Sequence, residues 1–407
     1  MRCRVAAFLL TGILASAAPI HQEKVRRWRA EILSTLRVPD PPALDAVVWS
    51  SFSPEPGVIA ERITYATQFG MRIPVIVYRP EEPTGRAPAV IVTNGHGGDK
   101  YSWYAFYTGV LYARAGAVVL TYDPLGEGER NPNRESGTRA HDKLEPAPFM
   151  AYAVAGQMIS DVRQAVRYLA SRPEVDASRI AAVGYSMGSF VLALAGAIEP
   201  GLKAVVLVGG GNLDGPGEYW DRSKPLCQGL PYQAVSFLED RGAAIYALHA
   251  ARGPLLIYNG LADSVVNMPK TGTPFFEDLR RRTVALAPAG APVFETGYEP
   301  GVSHRPFFVT RPVALWLDRH IDFPKWTAGG IREMPTTLVS EWSQQHGVAL
   351  DPLYAVAERE GGTPALGSKV PGLNREHLSA IPEAKWDVER RRMTISYWEQ
   401  AVRSSSR

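Results

Sequence analysis

The chain has 407 residues, 45% of them hydrophobic, so it can bury a large core as one big domain or as one domain with an appendage. Its net charge is +3, and loss of Arg2 and Arg4 with an export leader leaves about +1, which gives no electrostatic basis for binding nucleic acid or an anionic membrane. The two cysteines are Cys3, inside that leader, and Cys227, so the mature protein forms no internal disulfide and must be held together by its core.

In chain order, residues 1–18 read as a signal peptide, which places the mature protein outside the cell or in a periplasm. Arg2 and Arg4 make the basic start, Val5 to Leu14 a ten-residue, mostly apolar run, and Ala15-Ser16-Ala17 the small-residue cleavage site. The run is too short to span a bilayer, and no later stretch approaches ~20 apolar residues. Residues 19–54 follow as a helical and linker segment, with a helix over Glu23–Leu36 stopped by Val38-Pro39-Asp40-Pro41-Pro42. Residues 62–67 and 74–80 read as two antiparallel strands. Apolar runs then alternate with helices. The strands are expected at Ala89–Thr93, Ala117–Tyr122, Ile180–Gly184, Ala204–Val208, Leu255–Tyr258 and Val293–Thr296. The helices between and after them are expected at Tyr104–Ala115, Ala151–Ser171, Met187–Ile198, Tyr232–His249, Thr273–Ala285 and Pro306–His320. Continuous Val/Ile/Leu strands between helices predict an α/β fold, a mostly parallel doubly wound sheet of about eight strands covered on both faces. Ligands bind such sheets at the carboxyl ends of the strands.

The most informative five residues are Gly184-Tyr185-Ser186-Met187-Gly188. Roughly 0.2 such G-x-S-x-G matches would arise by chance in a chain this long, so the context carries the reading. The motif lies where a buried strand runs into an apolar helix, the turn that holds a serine hydroxyl out over the sheet edge. Two later strand ends supply partners. Asp263 follows the strand at 255–258, and His304 follows the strand at 293–296. Serine, acid and histidine in that order are the α/β-hydrolase arrangement, in which the acid holds the imidazole tautomer that accepts the serine proton. An Asp after a strand is ordinarily a helix cap, but Asp263 is poorly placed to cap the helix after Pro269. Of the eight histidines, His304 alone follows the last strand. After the strand at 89–93 comes Asn94-Gly95-His96-Gly97-Gly98-Asp99, where glycines let backbone N–H groups approach a developing oxyanion. A phosphate cradle is the other use of such a turn, but no lysine and hydroxyl follow at P-loop spacing.

With these pieces in place, the chain resembles the α/β-hydrolase superfamily over residues 55–322. Asp161 to Gly188, and Tyr122-Asp123-Pro124-Leu125-Gly126-Glu127-Gly128-Glu129-Arg130, resemble the acetyl xylan esterase and dienelactone-hydrolase-like branch. That branch often has a third glycine after the elbow, where this chain has Ser189. The resemblance implies Ser186, Asp263 and His304 as a catalytic triad, with the Met187 N–H and the Gly97 or Gly98 N–H as oxyanion donors. It implies no metal and no cofactor.

Three segments are expected to shape the substrate pocket: the polar, Pro/Gly-rich Leu125–Phe149, a cap insertion at Gly209–Pro231, and the aromatic run Tyr101–Tyr107. His96, Tyr101, Trp103 and Trp220 are the candidate substrate contacts, although core packing is the ordinary fate of aromatic residues on such a helix. Residues 323–407 form a C-terminal extension without evident chemistry, in which Met393, Tyr397 and Ala401 share a helical face near Trp386 and pack back onto the domain. The expected function is a secreted serine esterase acting on short acyl groups, such as acetyl, carried by a polar or carbohydrate alcohol. The alternatives are a prolyl-oligopeptidase-like serine peptidase lacking its propeller and a catalytically silent hydrolase-fold binding protein. The oligomeric state is left open.

Overall fold

The computed structural model describes residues 14–215, 217–350, 362–367 and 369–405. Residues 1–13, most of the expected leader, lie outside these. A nine-stranded sheet organises the molecule. Helix α1 (Leu14–Thr35) precedes an antiparallel meander of β1 (Val47–Glu55), β2 (Val58–Ala66) and β3 (Arg72–Pro80). Then come β4 (Ala87–Thr93), α2 (Trp103–Arg114), β5 (Val118–Tyr122), α3 (Pro148–Ser171), β6 (Val175–Tyr185), α4 (Met187–Ile198) and β7 (Ala204–Val208). The series ends with α5 (Leu230–Ala234), α6 (Arg241–Ala250), β8 (Leu255–Gly260), α7 (Met268–Leu286), β9 (Glu295–Glu299) and α8 (Arg311–Ile321). The strand order is β1-β2-β3-β5-β4-β6-β7-β8-β9, antiparallel up to the β3–β5 pair and parallel from β5 onward. This is the α/β-hydrolase fold.

Burial follows from composition. Strands β4, β5 and β7 are buried at every position, as expected for a parallel sheet with helices on both faces. One face packs against α3, α4 and α6, the other against α2 and α8. Three expectations need correction. Residues 47–54 were expected to be linker, yet 47–55 form the ninth strand. Its alternating half-buried and exposed residues, its irregular register at Val48/Ser50 and Phe52/Glu55, and Pro54 are edge-strand features that hide a strand signal. The helix expected over Tyr232–His249 is broken after α5, because Glu239 takes φ +61° and the Asp240 side chain caps α6 at Ala243 N–H. In the C-terminal extension the helix Ile395–Ser405 does pack onto the main core, mainly through Ile395, Trp398 and Val402 with the half-buried Tyr397 against the same core, while Met393 joins Trp386 in a separate small cluster.

Candidate active site

Strand β6 leads into α4 through Ser186, whose backbone is held at φ +55°, ψ −115°. For a residue with a Cβ, this conformation costs ~1–3 kcal/mol and persists only where the surroundings enforce it. The enforcement is visible at Gly188: a Cβ there would lie 2.2 Å from Thr93 O, so only glycine lets α4 start this close to β4. Ser186 N–H donates to Val208 O at 2.9 Å, fixing the turn against β7. The Met187 N–H stands at the first position of α4, where no helical acceptor exists.

Strands β8 and β9 carry the other two residues. Asp263 is 0% exposed and lies in the turn after β8. Its Oδ1 accepts the Val265 and Val266 N–H groups at 2.9 and 3.2 Å, which aims Oδ2 at His304 Nδ1, 2.7 Å away. Because a carboxylate only accepts, Nδ1 carries the proton and Nε2 of the neutral ring presents a lone pair. His304 is 2% exposed, with the Tyr185 ring 4.8 Å from its own. Gly209, at φ +60°, leaves room for this ring, since a Cβ would sit 2.8 Å from His304 Cε1. Asn259 at the end of β8 pins the same loop by exchanging two 2.9 Å hydrogen bonds with the Gly210 backbone.

Ser186 and His304 line one cavity of about 200 Å³. Its wall includes Gly95, His96 and Gly98 from the loop after β4, Arg139 from the 125–149 segment, and Tyr219, Trp220 and Gln228 from the segment after β7. A hydroxyl, an imidazole bonded to a buried carboxylate and a small concave space are thus brought together. Met187 does not line the cavity but follows Ser186 directly.

Several expected contacts are placed differently. The Gly98 N–H is taken by Gly95 O at 2.9 Å, closing the turn, so it is not available to a substrate. Gly97, at φ +88°, is not part of the cavity wall. The backbone N–H of His96, on the wall, has no acceptor among the described residues. Trp220 and His96 do reach the cavity, but Tyr101 and Trp103 do not. Trp103 is buried against Tyr104, Tyr107 and Trp342, and Tyr101 lies between the cations of Lys100 and Arg375. The α2 N-terminus turns its aromatic residues into the core, leaving Tyr104 as its cavity residue. Tyr219, Arg139 and Lys224, absent from the expected contacts, also line the site. Tyr219 lies beside Trp220 in a segment already singled out, so its place there was within reach. The two cations also stand in segments expected to shape the pocket, but no local pattern there marks which polar residue turns to the cavity.

Behind the same loop lies a closed ionic knot. Lys100 Nζ, with no exposed surface, sits 2.5 Å from Asp123 Oδ2 and 2.9 Å from Glu129 Oε2. Burial opposes the charge of Lys100, but the two carboxylates outweigh it and raise its pKa. Glu129 also accepts the Ala380 and Ile381 N–H groups at 2.8 and 3.0 Å, tying in the C-terminal extension, and Arg130 pairs with the buried Asp161. Burial, reinforced by Asp123, pushes Asp99 up to about 7. Burial likewise pushes Glu127 to about 8, while its two oxygens accept the Thr138 and Arg139 N–H groups.

Comparison with known proteins agrees with this geometry. Residues 73–273 match the dienelactone hydrolase family. A curated relative, the thiohydrolase apmlB of Arthrinium phaeospermum, is 26% identical over 157 residues, which is 37% of this chain and 43% of that protein. The chain thus spans under half the length of that relative. Among solved structures, the methylesterase BT1017 aligns at TM-score 0.55 and 18% identity over 96% of this chain and 76% of its own. A glucuronoyl esterase from Solibacter usitatus aligns at TM-score 0.52 and 15% identity over 80% of this chain and 99% of its own. Acetyl xylan esterases are among the further structural neighbours. At these identities the structures establish the fold, and the family match over the segment from β3 to the start of α7 establishes the lineage: the chain is an α/β hydrolase of the dienelactone hydrolase family.

Proposed function

We propose that the protein is an exported serine esterase that removes short acyl groups from a polar alcohol. The observation that carries this reading is the strained Ser186 sharing a small cavity with His304, whose Nδ1 is bonded to the buried Asp263. In the first half-reaction Ser186 Oγ attacks the ester carbonyl. His304 Nε2 takes the serine proton and passes it to the leaving alcohol, and Asp263 stabilises the imidazolium. The developing oxyanion is met by the Met187 N–H and by the His96 N–H, the wall group without another acceptor. Water then enters, His304 accepts its proton, and the acyl-enzyme breaks down to acid and free Ser186.

The size and lining of the cavity support a short acyl group. About 200 Å³ walled by Trp220, Val265 and Val266 suits an acetyl methyl, while Arg139, Lys224 and Gln228 suit hydroxyl-rich alcohols. Export rests on the leader pattern of residues 1–18. No helix among the described residues is long and apolar enough to cross a membrane.

A fluorophosphonate probe followed by a substrate panel tests the proposal. The probe should add to Ser186, acetyl esters should exceed octanoyl esters of the same alcohol in kcat/KM, and acetylated sugars should be cleaved. A preference for octanoyl esters, or a proline-containing peptide cut faster than any acetyl ester, would overturn it.

A further inference from the structure

Beside the cavity, four side chains from three separate loops converge on one point. They are His96 from the loop after β4, His141 and Asp142 from the 125–149 segment, and Cys227 from the segment after β7, with one donor atom of each within 4.8 Å of all the others. His96 Nε2 lies 3.1 Å from His141 Nε2 and 3.0 Å from Asp142 Oδ2. His141 Nε2 lies 3.6 Å from Asp142 Oδ1, and Cys227 Sγ 3.8 Å from the same oxygen.

Proton counting shows what this arrangement lacks. His141 Nδ1 is 3.2 Å from Leu125 O, a carbonyl that can only accept, so Nδ1 carries the hydrogen and Nε2 of the neutral ring is a bare lone pair. Asp142 is an acceptor only. A single hydrogen on His96 Nε2 therefore faces two acceptors, and the buried thiol has only a long contact to a third lone pair. Lone pairs aimed at one another across about 3–4 Å are the arrangement a cation resolves. Four ligands placed tetrahedrally at zinc distances are about 3.3 Å apart for nitrogen and oxygen and about 3.5 Å apart where sulfur is one of the pair. The four separations given above, 3.0 to 3.8 Å, bracket those values, and every pair of donor atoms lies within 4.8 Å. The Leu125 carbonyl holds His141 as outer partners of metal-bound histidines do.

We propose that His96, His141, Asp142 and Cys227 form a structural zinc site that clamps the two pocket-shaping segments to the loop bearing the His96 N–H. Two neutral imidazoles, a carboxylate and a thiolate neutralise a divalent ion. The mixed sulfur and nitrogen set selects zinc over magnesium or calcium. On binding, the Cys227 S–H bond breaks, sulfur keeps the electron pair and donates it to the metal, and the proton leaves to solvent. All four positions are filled by protein, so the ion is a brace with no open position for chemistry. No motif announces the site, because the four ligands follow no local metal-binding spacing.

The test uses the mature protein without a histidine tag, stripped with a chelator, given excess zinc and freed of loose metal by gel filtration. About one zinc per chain is expected, together with a rise in Tm of ~5 °C or more that chelator reverses. Cys227→Ser and His141→Ala should hold less than about a tenth of that metal. Cobalt loading keeps the question open to decision even if the variants misfold: the wild-type protein should show tetrahedral visible bands and a thiolate-to-cobalt charge-transfer band. A wild-type protein that takes up no metal, or cobalt bound without the thiolate band, would overturn the proposal. Neither readout depends on esterase activity, so this site can fail while the esterase reading stands, and the reverse.

Discussion

Two buried polar arrangements lie at the carboxyl ends of this sheet, and they do different things. In one, Asp263 holds His304 by a single 2.7 Å bond, and the imidazole faces a cavity shared with Ser186. In the other, Lys100 is enclosed by Asp123 and Glu129 with no exposed surface, and its partners run on to the backbone of the C-terminal extension. Buried charge and displaced carboxyl pKa values alone would point to the second, where Asp99 and Glu127 are raised to about 7 and about 8. What marks the first is access: one member of the pair reaches a concave space beside a strained hydroxyl. The knot has every polar group turned inward and serves to fix the loop on which His96 stands.

The largest expected effect separates the two. Ser186→Ala or His304→Ala should lower kcat by about a millionfold, and Asp263→Asn by ~10⁴-fold, with thermal unfolding little changed. Steady-state kinetics with an acetyl ester and a melting curve check this. A tenth of the wild-type rate surviving in Ser186→Ala would move the chemistry elsewhere. Lys100→Met should do the converse. It leaves Asp123 and Glu129 buried without their cation, a loss of ~3–5 kcal/mol in urea unfolding, while the folded fraction still reacts with a fluorophosphonate at Ser186. A slowed reaction with unchanged unfolding would place Lys100 in the chemistry and dissolve the distinction.

The first arrangement was legible in the sequence and the second was not, for a physical reason. Ser186 and Asp263 each follow a continuous apolar run, and His304 follows the last strand, β9, which is half-buried along its length; a strand end is fixed by local pattern. Tyr122–Arg130 could be matched only as a resemblance. What Asp123, Glu127, Glu129 and Arg130 do depends on Lys100, Asp161 and residues 380–381, and no periodicity links such distant positions. The same limit hid β1, whose edge position shows as exposed polar residues, and misassigned Tyr101 and Trp103. Trp103 and Tyr107 of α2 meet Trp342, and Tyr101, ahead of that helix, meets Arg375; both partners lie in the C-terminal extension and are known only once the chain is folded.

A third buried ionisable group, remote from both arrangements, serves as a control on pH. His249 Nε2 must donate to Ala193 O at 2.9 Å, so its Nδ1 accepts from Arg252 at 3.1 Å and the ring is neutral. Burial, and then Arg252, hold it well below the usual histidine range. The unfolded chain takes up a proton below about pH 6.5 where the folded protein does not. Stability from this group is therefore present above that pH and lost as pH falls below it, by at most ~1.4 kcal/mol per pH unit. In urea titrations, the stability gap between wild type and His249→Gln should narrow by about 2 kcal/mol between pH 7.5 and 5. A gap constant over that range would mean the ring is charged in the fold.

The smallest effect tests the border between the two arrangements. Tyr101 stands next to Lys100 in sequence but outside the cavity. Its ring lies 4.0 Å from Lys100 Nζ and 3.9 Å from the Arg375 guanidinium, and its hydroxyl meets Ser379 Oγ at 3.2 Å. Tyr101→Phe keeps the ring between the two cations and removes only the hydroxyl bond to the extension, so unfolding free energy should fall by ~0.5–1.5 kcal/mol. Because Tyr101 does not line the cavity, kcat/KM for an acetyl ester should stay within about twofold of wild type. A tenfold loss carried in KM would instead put the Tyr101 hydroxyl in contact with the alcohol, extending the binding surface across the knot and joining the two regions into one site.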